Sequence, residues 1–355
     1  MKRFLKLSVV VLVILVGYLL FWPVSIEPLA WEPPQNPGLT GKYQANDRLS
    51  GSERLLDQVG VGPEDIVARS AGLLHTGLLD GRILQFSPDA PEDFTVLART
   101  ERPLGMDVGP DGTLYFVDAY RGLMAYDPGT AEDPRLLSEE AAGQPYGFTN
   151  DLAVAPDGAI YFTDSSSQYS VDSFEKIMLA HEGTGRLLRY DPETEQTMVL
   201  EAGLQFPNGL TFTANHEALL MVETAEYRVR KVPVQDDGTT GEPEVVLDAL
   251  PGIPDNINRA EDTYWLAMPT PRNSMLDTLA PYPWVRKMVA RLPKAFHPAP
   301  QRHPIVLEIT EDGEVLRNLQ DRTGDAALIS SAYPHRGNLY LGSYQEPVLR
   351  RHELQ

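Results

Sequence analysis

Four short segments of the chain carry side-chain oxygens of the kind that bind hard metal ions. The segments GPEDI, FTNDL, FPNGL and IPDNI supply Glu64, Asp65, Asn150, Asp151, Asn208, Asp255 and Asn256. Carboxylate and amide oxygens are the ligands that Ca²⁺ prefers. The charges of Glu64 and Asp255 would balance a divalent cation, and the cation would relieve their mutual repulsion. These residue types predict a Ca²⁺-like site wherever the fold brings the four segments together.

The same residues have a simpler interpretation when each segment is taken alone. Asn and Asp beside proline or glycine are common turn formers, because their side chains hydrogen-bond to the nearby backbone. The four segments, however, occupy the same phase of an internal repeat. We therefore favour metal binding over four unrelated turns.

The repeat is visible in the sequence and has the length, about 40–50 residues, that is typical of propeller blades. Copies begin at Pro63, Pro103, Asn150, Pro207, Pro254 and Ala327. The clearest copies read as an alternating strand, a PDG turn, a strand rich in β-branched and aromatic residues, and a third strand that ends at YDP. Such a unit cannot bury both of its faces alone, and radial repetition solves this problem with short, protected edges. The sequence predicts an all-β protein with a six-bladed β-propeller, rather than an open β-solenoid with shorter and more uniform repeats.

This fold would bring the four oxygen-bearing segments together. The innermost strand of each blade lines the propeller axis, so equivalent positions of different blades converge although they are far apart in sequence. We expect Glu64, Asn150, Asn208 and Asp255 to surround the central channel.

Composition excludes several classes of function. Fifty acidic and 30 basic residues give a formal net charge of −20, which would repel nucleic acid. The chain has no cysteine, which excludes disulfides, thiolate metal sites and cysteine nucleophiles. The G-x-S-x-G, Walker and dinucleotide-binding motifs are also missing, which removes the usual support for serine-hydrolase, nucleotide and nicotinamide chemistry.

The N-terminus carries a targeting signal. An uncharged apolar run extends from Leu7 to Ile26 after three basic residues, and about 20 helical residues suffice to cross a bilayer. We predict that residues 1–26 form a signal anchor and transmembrane helix with a cytoplasmic N-terminus and an exported propeller. The alternative is a cleaved signal peptide, whose apolar region is usually shorter. Residues 27–54 are predicted to be a spacer and residues 55–355 the propeller.

Two insertions interrupt the repeats, at about 169–185 and 271–304. The second contains PYPWVRKMVARLPKAF, in which Trp284, Val285, Met288, Val289 and Leu292 have helical spacing. We expect a helix that caps the ring with this apolar face. A lid, or a surface that touches the membrane, is the alternative.

The chain resembles the strictosidine-synthase-like propellers in FTNDLAVAPDGAIYFTDSSSQY, LQFPNGLTF, LPGIPDNI and other stretches that cover nearly everything after about Gly62. It is more distantly similar to paraoxonases and gluconolactonases, which hydrolyse esters and lactones with a divalent metal in the channel. By this resemblance Glu64, Asn150, Asn208 and Asp255 are catalytic-metal ligands and Asn256 is an additional one. Asp65 and Asp151 fall where paraoxonases bind a second, structural Ca²⁺.

Two departures from these families limit the chemistry. Leu104 stands where paraoxonases have a catalytic histidine, and Ser330 lies near the position of the strictosidine synthase glutamate. We therefore expect metal-assisted hydrolysis of a small ester or lactone, of the arylesterase or lactonase type. Asp255 would accept a proton from the attacking water, as similar gluconolactonases suggest. The alternative is a non-catalytic propeller that acts as a binding module with a structural ion.

Overall fold

The repeats fold into short antiparallel strands joined by tight turns. The structure, a computed structural model, describes residues 2–69, 72–130, 133–297 and 299–354. In the PDG turn of the second repeat, the amide of Gly112 donates to the carbonyl oxygen of Gly109 over 2.9 Å. Gly112 has a φ of +85°, which favours glycine, and Asp111 accepts a hydrogen bond from the amide of Thr113. Each such turn reverses the chain between the first two strands of a blade.

In the described residues, six four-stranded sheets form the blades, and the first strand of the chain belongs to the last blade. Strand β1 spans Glu53–Leu55. Blade 1 consists of β2 (Ile66–Arg69), β3 (Leu73–Gly77), β4 (Arg82–Ser87) and β5 (Ala90–Arg99). Blade 2 consists of β6 (Pro103–Val108), β7 (Leu114–Asp118), β8 (Gly122–Tyr126) and β9 (Arg135–Ser138). A two-stranded hairpin follows, with β10 (Glu140–Ala141) and β11 (Gln144–Pro145).

The remaining blades follow in order around the ring. Blade 3 consists of β12 (Thr149–Val154), β13 (Ile160–Asp164), β14 (Gly185–Asp191) and β15 (Gln196–Leu204). Blade 4 consists of β16 (Pro207–Phe212), β17 (Ala218–Glu223), β18 (Arg228–Pro233) and β19 (Glu244–Leu247). Blade 5 consists of β20 (Ile257–Ala260), β21 (Thr263–Met268), β22 (Ile305–Ile309) and β23 (Val315–Gln320). Blade 6 consists of β24 (Ile329–His335), β25 (Asn338–Ser343), β26 (Leu349–Glu353) and β1.

The ring is closed by pairing between the two ends of the propeller sequence. Strand β1 pairs antiparallel with β26, and Leu55 lies opposite Leu349. The innermost strands β2, β6, β12, β16, β20 and β24 contact their neighbours around the axis. Buried apolar side chains fill every interface between adjacent blades. The predicted six-bladed all-β propeller is confirmed.

In the described residues, helix α1 precedes the propeller strands, and three further α-helices interrupt blades 3 and 5. Helix α1 spans Lys2–Phe21, α2 spans Glu175–Ala180, α3 spans Ser274–Leu279 and α4 spans Pro283–Ala290. Over the described part of the chain, no helix has both the length and the apolar character needed to cross a membrane. The transmembrane assignment of residues 1–26 stays a prediction.

The proline-rich segment after α1 runs along the propeller surface. Ile26, Tyr43 and Leu49 are buried, and the amide of Leu29 donates to the carbonyl oxygen of Ala180 over 2.9 Å. The Trp31 ring stacks on the imidazole of His181, with ring centroids 4.0 Å apart. Residues 27–54, which the composition predicts as a spacer, are thus packed against the globular domain.

The face of α4 that contacts the propeller differs from the predicted apolar stripe. Trp284 is 61% exposed, whereas the guanidinium of Arg286 is buried and donates to the carbonyl oxygens of Leu179 and Leu29. The prediction that Trp284 faces the ring was wrong. The two carbonyl oxygens need a hydrogen-bond donor, which Arg286 supplies, and the spacing of apolar residues does not reveal this need. Val289 packs against the core between blades 2 and 3, so α4 covers the ring through its C-terminal half.

Candidate metal centre

The four oxygen-bearing segments occupy equivalent positions of the inner strands. In β12 the pairing register with β13 shifts between Thr149 and Leu152, which is a β-bulge at Asn150 and Asp151. A bulge breaks the regular alternation of side chains and re-aims them. Strands β6, β16 and β24 have register shifts at the corresponding place. The regular pairing of blades 1 to 5 begins at Ile66, Met106, Leu152, Leu210 and Ile257, and the residues two positions earlier are Glu64, Leu104, Asn150, Asn208 and Asp255. In blade 6 the corresponding residue is Ser330, in the bulge between Ile329 and Ser331.

Hydrogen bonds join the predicted ligands across the channel. The Asn208 side-chain nitrogen Nδ2 donates to Oδ1 of Asp255 over 2.8 Å. Nδ2 of Asn256 donates to Oε1 of Glu64 over 3.3 Å, between residues that are 192 positions apart in sequence. The hydroxyl of Ser330 donates to the carbonyl oxygen of Glu64 over 3.0 Å. The propeller brings blades 1, 4, 5 and 6 together at this polar cluster.

Two hydroxyl groups fix the orientation of the asparagine amides. The Ser165 hydroxyl donates to the carbonyl oxygen of Pro207 over 2.7 Å, and the Thr224 hydroxyl donates to that of Pro254 over 2.8 Å. Each hydroxyl has one proton, so it faces the neighbouring asparagine as an acceptor. It accepts Nδ2 of Asn150 over 2.9 Å and Nδ2 of Asn208 over 3.1 Å, respectively. Both amide oxygens therefore point away from the hydroxyls.

Four oxygens of this cluster are buried and accept no hydrogen bond from the described residues. They are Glu64 Oε2, Asn150 Oδ1, Asn208 Oδ1 and Asn256 Oδ1. A buried polar atom without a partner costs free energy, and most such atoms in folded proteins are paired. A hard cation would satisfy all four, since amide and carboxylate oxygens are its preferred ligands. The residues present therefore fit a Ca²⁺-like ion.

The pKa shifts of the Glu64 and Asp255 carboxyls also favour a bound cation. Burial, followed by the charge of Asp65, raises the pKa of Glu64 to about 7, although Arg102 opposes this shift. Burial and then the charge of Glu64 raise the pKa of Asp255 well above its usual value. An ion bound between the two carboxylates would favour their charged forms.

The donor set is a mixture of carboxylates and amides. In the described ranges, no group of three or more His, Cys, Asp or Glu side chains is arranged to hold a metal. The cluster contains only two carboxylates, Glu64 and Asp255, and its other side-chain oxygens belong to asparagines. Such a set suits an oxygen-loving ion and lacks the nitrogen and sulfur ligands that zinc prefers.

Asp65 and Asp151, the predicted ligands of a second ion, have different surroundings. Asp65 accepts hydrogen bonds from the Ser331 hydroxyl and the Met106 amide, at 2.8 and 3.1 Å. Asp151 accepts them from the amides of Leu152 and Leu210, at 2.8 and 2.7 Å. Both carboxyls thus tie neighbouring inner strands together. A second ion at this level stays a prediction.

Three further residues of the channel region were not predicted from the sequence. Ser165 and Thr224 orient the amides of Asn150 and Asn208, and the equivalent residue of blade 2 is Ala119. Blade 2 also has Leu104 at the predicted ligand position. The asparagine and the hydroxyl are thus both present in blades 3 and 4 and both absent from blade 2. An alignment of the repeats would have revealed this pattern. Asp107 is the third: it accepts hydrogen bonds from the amides of Val108 and Val154, and burial raises its pKa to about 6.

A cavity of about 180 Å³ lies beside the carboxyls of Asp65 and Asp151. Its lining also includes Asp107, Arg259, Tyr333 and other residues. Glu64, Asn150, Asn208 and Asp255 do not line it. The cavity therefore belongs to the interstrand carboxyls, and none of the four residues with unpartnered oxygens, which include Asn256, lines it.

Comparison with known proteins identifies the family of this chain. Residues 150–237 match the family model for strictosidine synthase, and residues 41–86 match that for the strictosidine synthase-like N-terminal region. A gluconolactonase from Xanthomonas campestris has the same fold, with a TM-score of 0.62 and 19% identity over 94% of this chain and 99% of its own. Regucalcin from Agrobacterium tumefaciens, a calcium-binding protein, has a TM-score of 0.60 and 14% identity, covering 85% of this chain and 94% of its own.

A full-length relative is much closer in sequence. The adipocyte plasma membrane-associated protein of Gallus gallus is 38% identical over 381 residues, which cover 99% of this chain and 90% of the relative. Identity at this level over nearly all of both sequences shows that the chain belongs to the adipocyte plasma membrane-associated protein family of strictosidine-synthase-like propellers.

Proposed function

We propose that the protein is a metal-dependent hydrolase of small esters or lactones, of the arylesterase or lactonase type. The observation that carries this proposal is the set of four buried oxygens without hydrogen-bond partners, on Glu64, Asn150, Asn208 and Asn256. Asp255 completes the donor set, and Ca²⁺ is the ion that best matches it. The names of the propellers with a similar fold, a gluconolactonase and a calcium-binding regucalcin, support the same class of function.

Asp255 is the residue of this set that can act on a water molecule. It is only partly buried, and Oδ1 accepts the amide of Asn208 over 2.8 Å, which fixes the carboxylate plane. None of the described residues donates a hydrogen bond to Oδ2. We assign Oδ2 the role of accepting the proton of the attacking water.

The other residues bind and orient. Asn150 and Asn208 present their amide oxygens because Ser165 and Thr224 hold the amide nitrogens. A bound divalent cation would polarise the substrate carbonyl and stabilise the negative charge that develops on its oxygen. Leu104 supplies an apolar wall at the equivalent position of blade 2 and is itself buried.

We also propose that the propeller is held at a membrane, on its exported side, with the N-terminus in the cytoplasm. The side chains of Leu7, Val13 and Ile14 on α1 are 61–66% exposed, and such apolar surface favours contact with lipid. The chicken relative is named as a plasma membrane-associated protein, which supports a membrane location. Protease protection of a C-terminal tag in intact and opened membrane vesicles tests this orientation.

The proposed activity is tested with the full chain in detergent, freed of metal by chelation and titrated with Ca²⁺. Hydrolysis of aryl esters and lactones should require the metal and should fall by at least about 100-fold in Asp255→Asn, the size of a lost general base. Asp262→Asn is the matched control, because Asp262 is an exposed residue of the same blade. Turnover that survives both metal removal and Asp255→Asn would eliminate the proposed mechanism. Ca²⁺ binding without turnover on any ester or lactone would favour a non-catalytic binding module.

A further inference from the structure

Arg102 carries a buried guanidinium next to the candidate metal centre. The residue is 5% exposed, and its Nη1 atom has no hydrogen-bond partner among the described residues. A buried charged group normally has a partner of opposite charge, because its removal from water is costly. The position of Arg102 therefore calls for an explanation.

The backbone of Arg102 is held rigidly at the start of blade 2. Its amide donates to Oδ2 of Asp118 over 2.9 Å, and its carbonyl oxygen accepts the amide of Ala119 over 2.9 Å. The same Asp118 oxygen accepts the amide of Glu101 over 2.8 Å. The side chain thus projects from a fixed point directly before β6.

The guanidinium lies beside Gly62, two residues before the ligand Glu64. An ideal Cβ atom at Gly62 would lie 3.3 Å from Nη1 of Arg102 and 2.9 Å from the carbonyl oxygen of Tyr344. Gly62 also has a φ of +68°, a conformation that side chains rarely adopt. The absence of a side chain at Gly62 lets the Arg102 guanidinium and the Tyr344 carbonyl approach the backbone closely, two residues before Glu64.

The equivalent positions of the next two blades are aromatic. The carbonyl oxygens of Phe148 and Phe206 accept the amides of Ser165 and Thr224, as that of Arg102 accepts the amide of Ala119. The two phenyl rings contact each other edge to face, with centroids 5.9 Å apart. The same position of the repeat thus holds a guanidinium in blade 2 and phenyl rings in blades 3 and 4.

Burial lowers the pKa of Arg102, and the charges of Glu64 and Asp118 oppose this shift, but neither carboxylate accepts a hydrogen bond from Nη1. The carboxylates of Glu64 and Asp255 would balance a divalent ion, so Nη1 of Arg102 stays available to an anionic ligand. A guanidinium in a water-poor site binds a carboxylate strongly, because its planar donors match the two carboxylate oxygens.

We propose that Arg102 is a substrate-binding residue that gives the centre a preference for lipophilic esters or lactones carrying a carboxylate. This inference rests on the proposed hydrolase function, because it names the substrate class of the same site. The substrate carboxylate would bind the Arg102 guanidinium, and the apolar part of the substrate would contact Phe148 and Phe206. The ester carbonyl would lie beside Glu64.

A matched pair of substrates tests the preference. Mono-4-nitrophenyl adipate and 4-nitrophenyl hexanoate have the same leaving group and the same acyl length, and only the first carries a carboxylate. In Arg102→Gln, the ratio of kcat/KM for the adipate ester to that for the hexanoate ester should fall at least tenfold, mainly through KM. Arg102→Lys, which keeps the charge, should recover part of the ratio. Arg99→Gln removes the same charge from an exposed position and should leave the ratio unchanged. A ratio that is the same in wild type and Arg102→Gln overturns the proposal.

A binding measurement separates this inference from the proposed activity. Calorimetry on the Ca²⁺-loaded full chain should show that hexanoate binds the wild type at least tenfold more tightly than hexanamide does, and that Arg102→Gln abolishes this difference. If the wild type hydrolyses no ester but hexanoate binding still depends on Arg102, the hydrolase proposal fails and the anion site stands. Hexanoate binding that is equal in wild type, Arg102→Gln and Arg102→Lys refutes the anion site.

Discussion

At the residue scale, two hydroxyl groups set the orientation of the Asn150 and Asn208 amides, on which the proposed cation site depends. Ser165 and Thr224 each donate their only proton to a backbone carbonyl of the next blade and accept an asparagine Nδ2. Ligand-orienting groups of this kind typically change metal affinity by about 10- to 100-fold when they are removed.

Ser165→Ala should therefore weaken Ca²⁺ binding by about 10- to 100-fold. The amide of Asn150 would lose its partner and rotate, which withdraws Oδ1 from the ion. Calorimetric titration of the metal-free protein measures the affinity. Ser138→Ala serves as the control, because this half-buried hydroxyl lies at the end of β9 and hydrogen-bonds to Tyr146 in a loop and to Thr197 on β15. Equal affinities for the two variants would contradict the orienting role.

The buried carboxyls make the metal-free protein sensitive to pH. Burial is the main cause that raises the pKa of Glu64 to about 7 and that of Asp65 to about 6. The folded chain keeps these protons between about pH 4 and 7, where the unfolded chain has released them. Its free energy of unfolding therefore falls as the pH rises through this window.

We expect the melting temperature of the metal-free protein to be lower at pH 7.5 than at pH 5.5, and the stabilisation by saturating Ca²⁺ to be larger at pH 7.5. Calorimetric scans at both pH values test this. Glu64→Gln should reduce the difference between the two pH values, whereas Glu261→Gln, an exposed change in the turn of blade 5, should leave it intact. A metal-free protein that becomes more stable from pH 5.5 to 7.5 would contradict this account.

The sequence singles out Glu64, Asn150, Asn208 and Asp255 because these oxygen-bearing side chains occupy one position of a repeat. The hydroxyls could not be predicted as easily, since their role depends on which neighbouring carbonyl accepts their proton. Arg102 was missed because a single basic residue before a strand looks like any exposed charge. Its burial appears only in three dimensions.

At the element scale, the β-bulges at the start of the inner strands set the geometry of the channel. In β12 the shift between Thr149 and Leu152 accommodates Asn150 and Asp151 side by side. In β6 the equivalent pair is Leu104 and Gly105, and the inner strands are in such close contact there that a Cβ atom on Gly105 would lie 2.6 Å from Cα of Asp151.

Gly105→Ala should destabilise the protein by about 1–3 kcal/mol, the usual cost of forcing extra volume into a packed interior. The backbone of β12 would have to move, so Ca²⁺ affinity should fall as well. Urea unfolding and metal titration measure the two effects. Gly129→Ala lies in an exposed turn and should cost far less, because its new Cβ would meet only the flexible carboxylate of Asp127. Equal unfolding midpoints for the two variants would show that the strands have room at Gly105.

The strands and turns of the repeats could be predicted from alternation and PDG signals, whereas the bulges could not. A bulge adds one residue to a strand without changing its composition, so periodicity does not reveal it. Helix α4 is a second element whose orientation could not be predicted from the sequence. Its spacing predicts a helix, but buried carbonyl acceptors decide that Arg286 faces inward and Trp284 faces outward.

At the scale of the whole molecule, the closed ring makes every blade depend on its neighbours. Buried apolar side chains fill each blade interface, including the one between blades 6 and 1, where Leu55 and Leu349 pack. The number of repeats predicts this ring. The sequence does not reveal that β1 completes blade 6, because a strand of three residues carries too little pattern.

Leu55→Ala should destabilise the propeller by about 2–5 kcal/mol, as is typical of a buried leucine, while unfolding remains a single transition. Leu79→Ala removes a side chain that is 50% exposed and should have a much smaller effect. Urea unfolding followed by tryptophan fluorescence and by circular dichroism tests both expectations. Loss of blade 6 in a separate early transition would show that the closure is only a local contact.

The pairing of β1 with β26 also determines when the ring can close during protein synthesis. Glu53–Leu55 leaves the ribosome long before Leu349–Glu353, so this strand must wait unpaired until the five intervening blades have been made. The ring can close only after residues 349–353 have emerged, and a nascent protein that stops short of residue 349 lacks the partner that completes it. A truncated product would therefore expose the β1 edge to quality control, however well its first blades had folded.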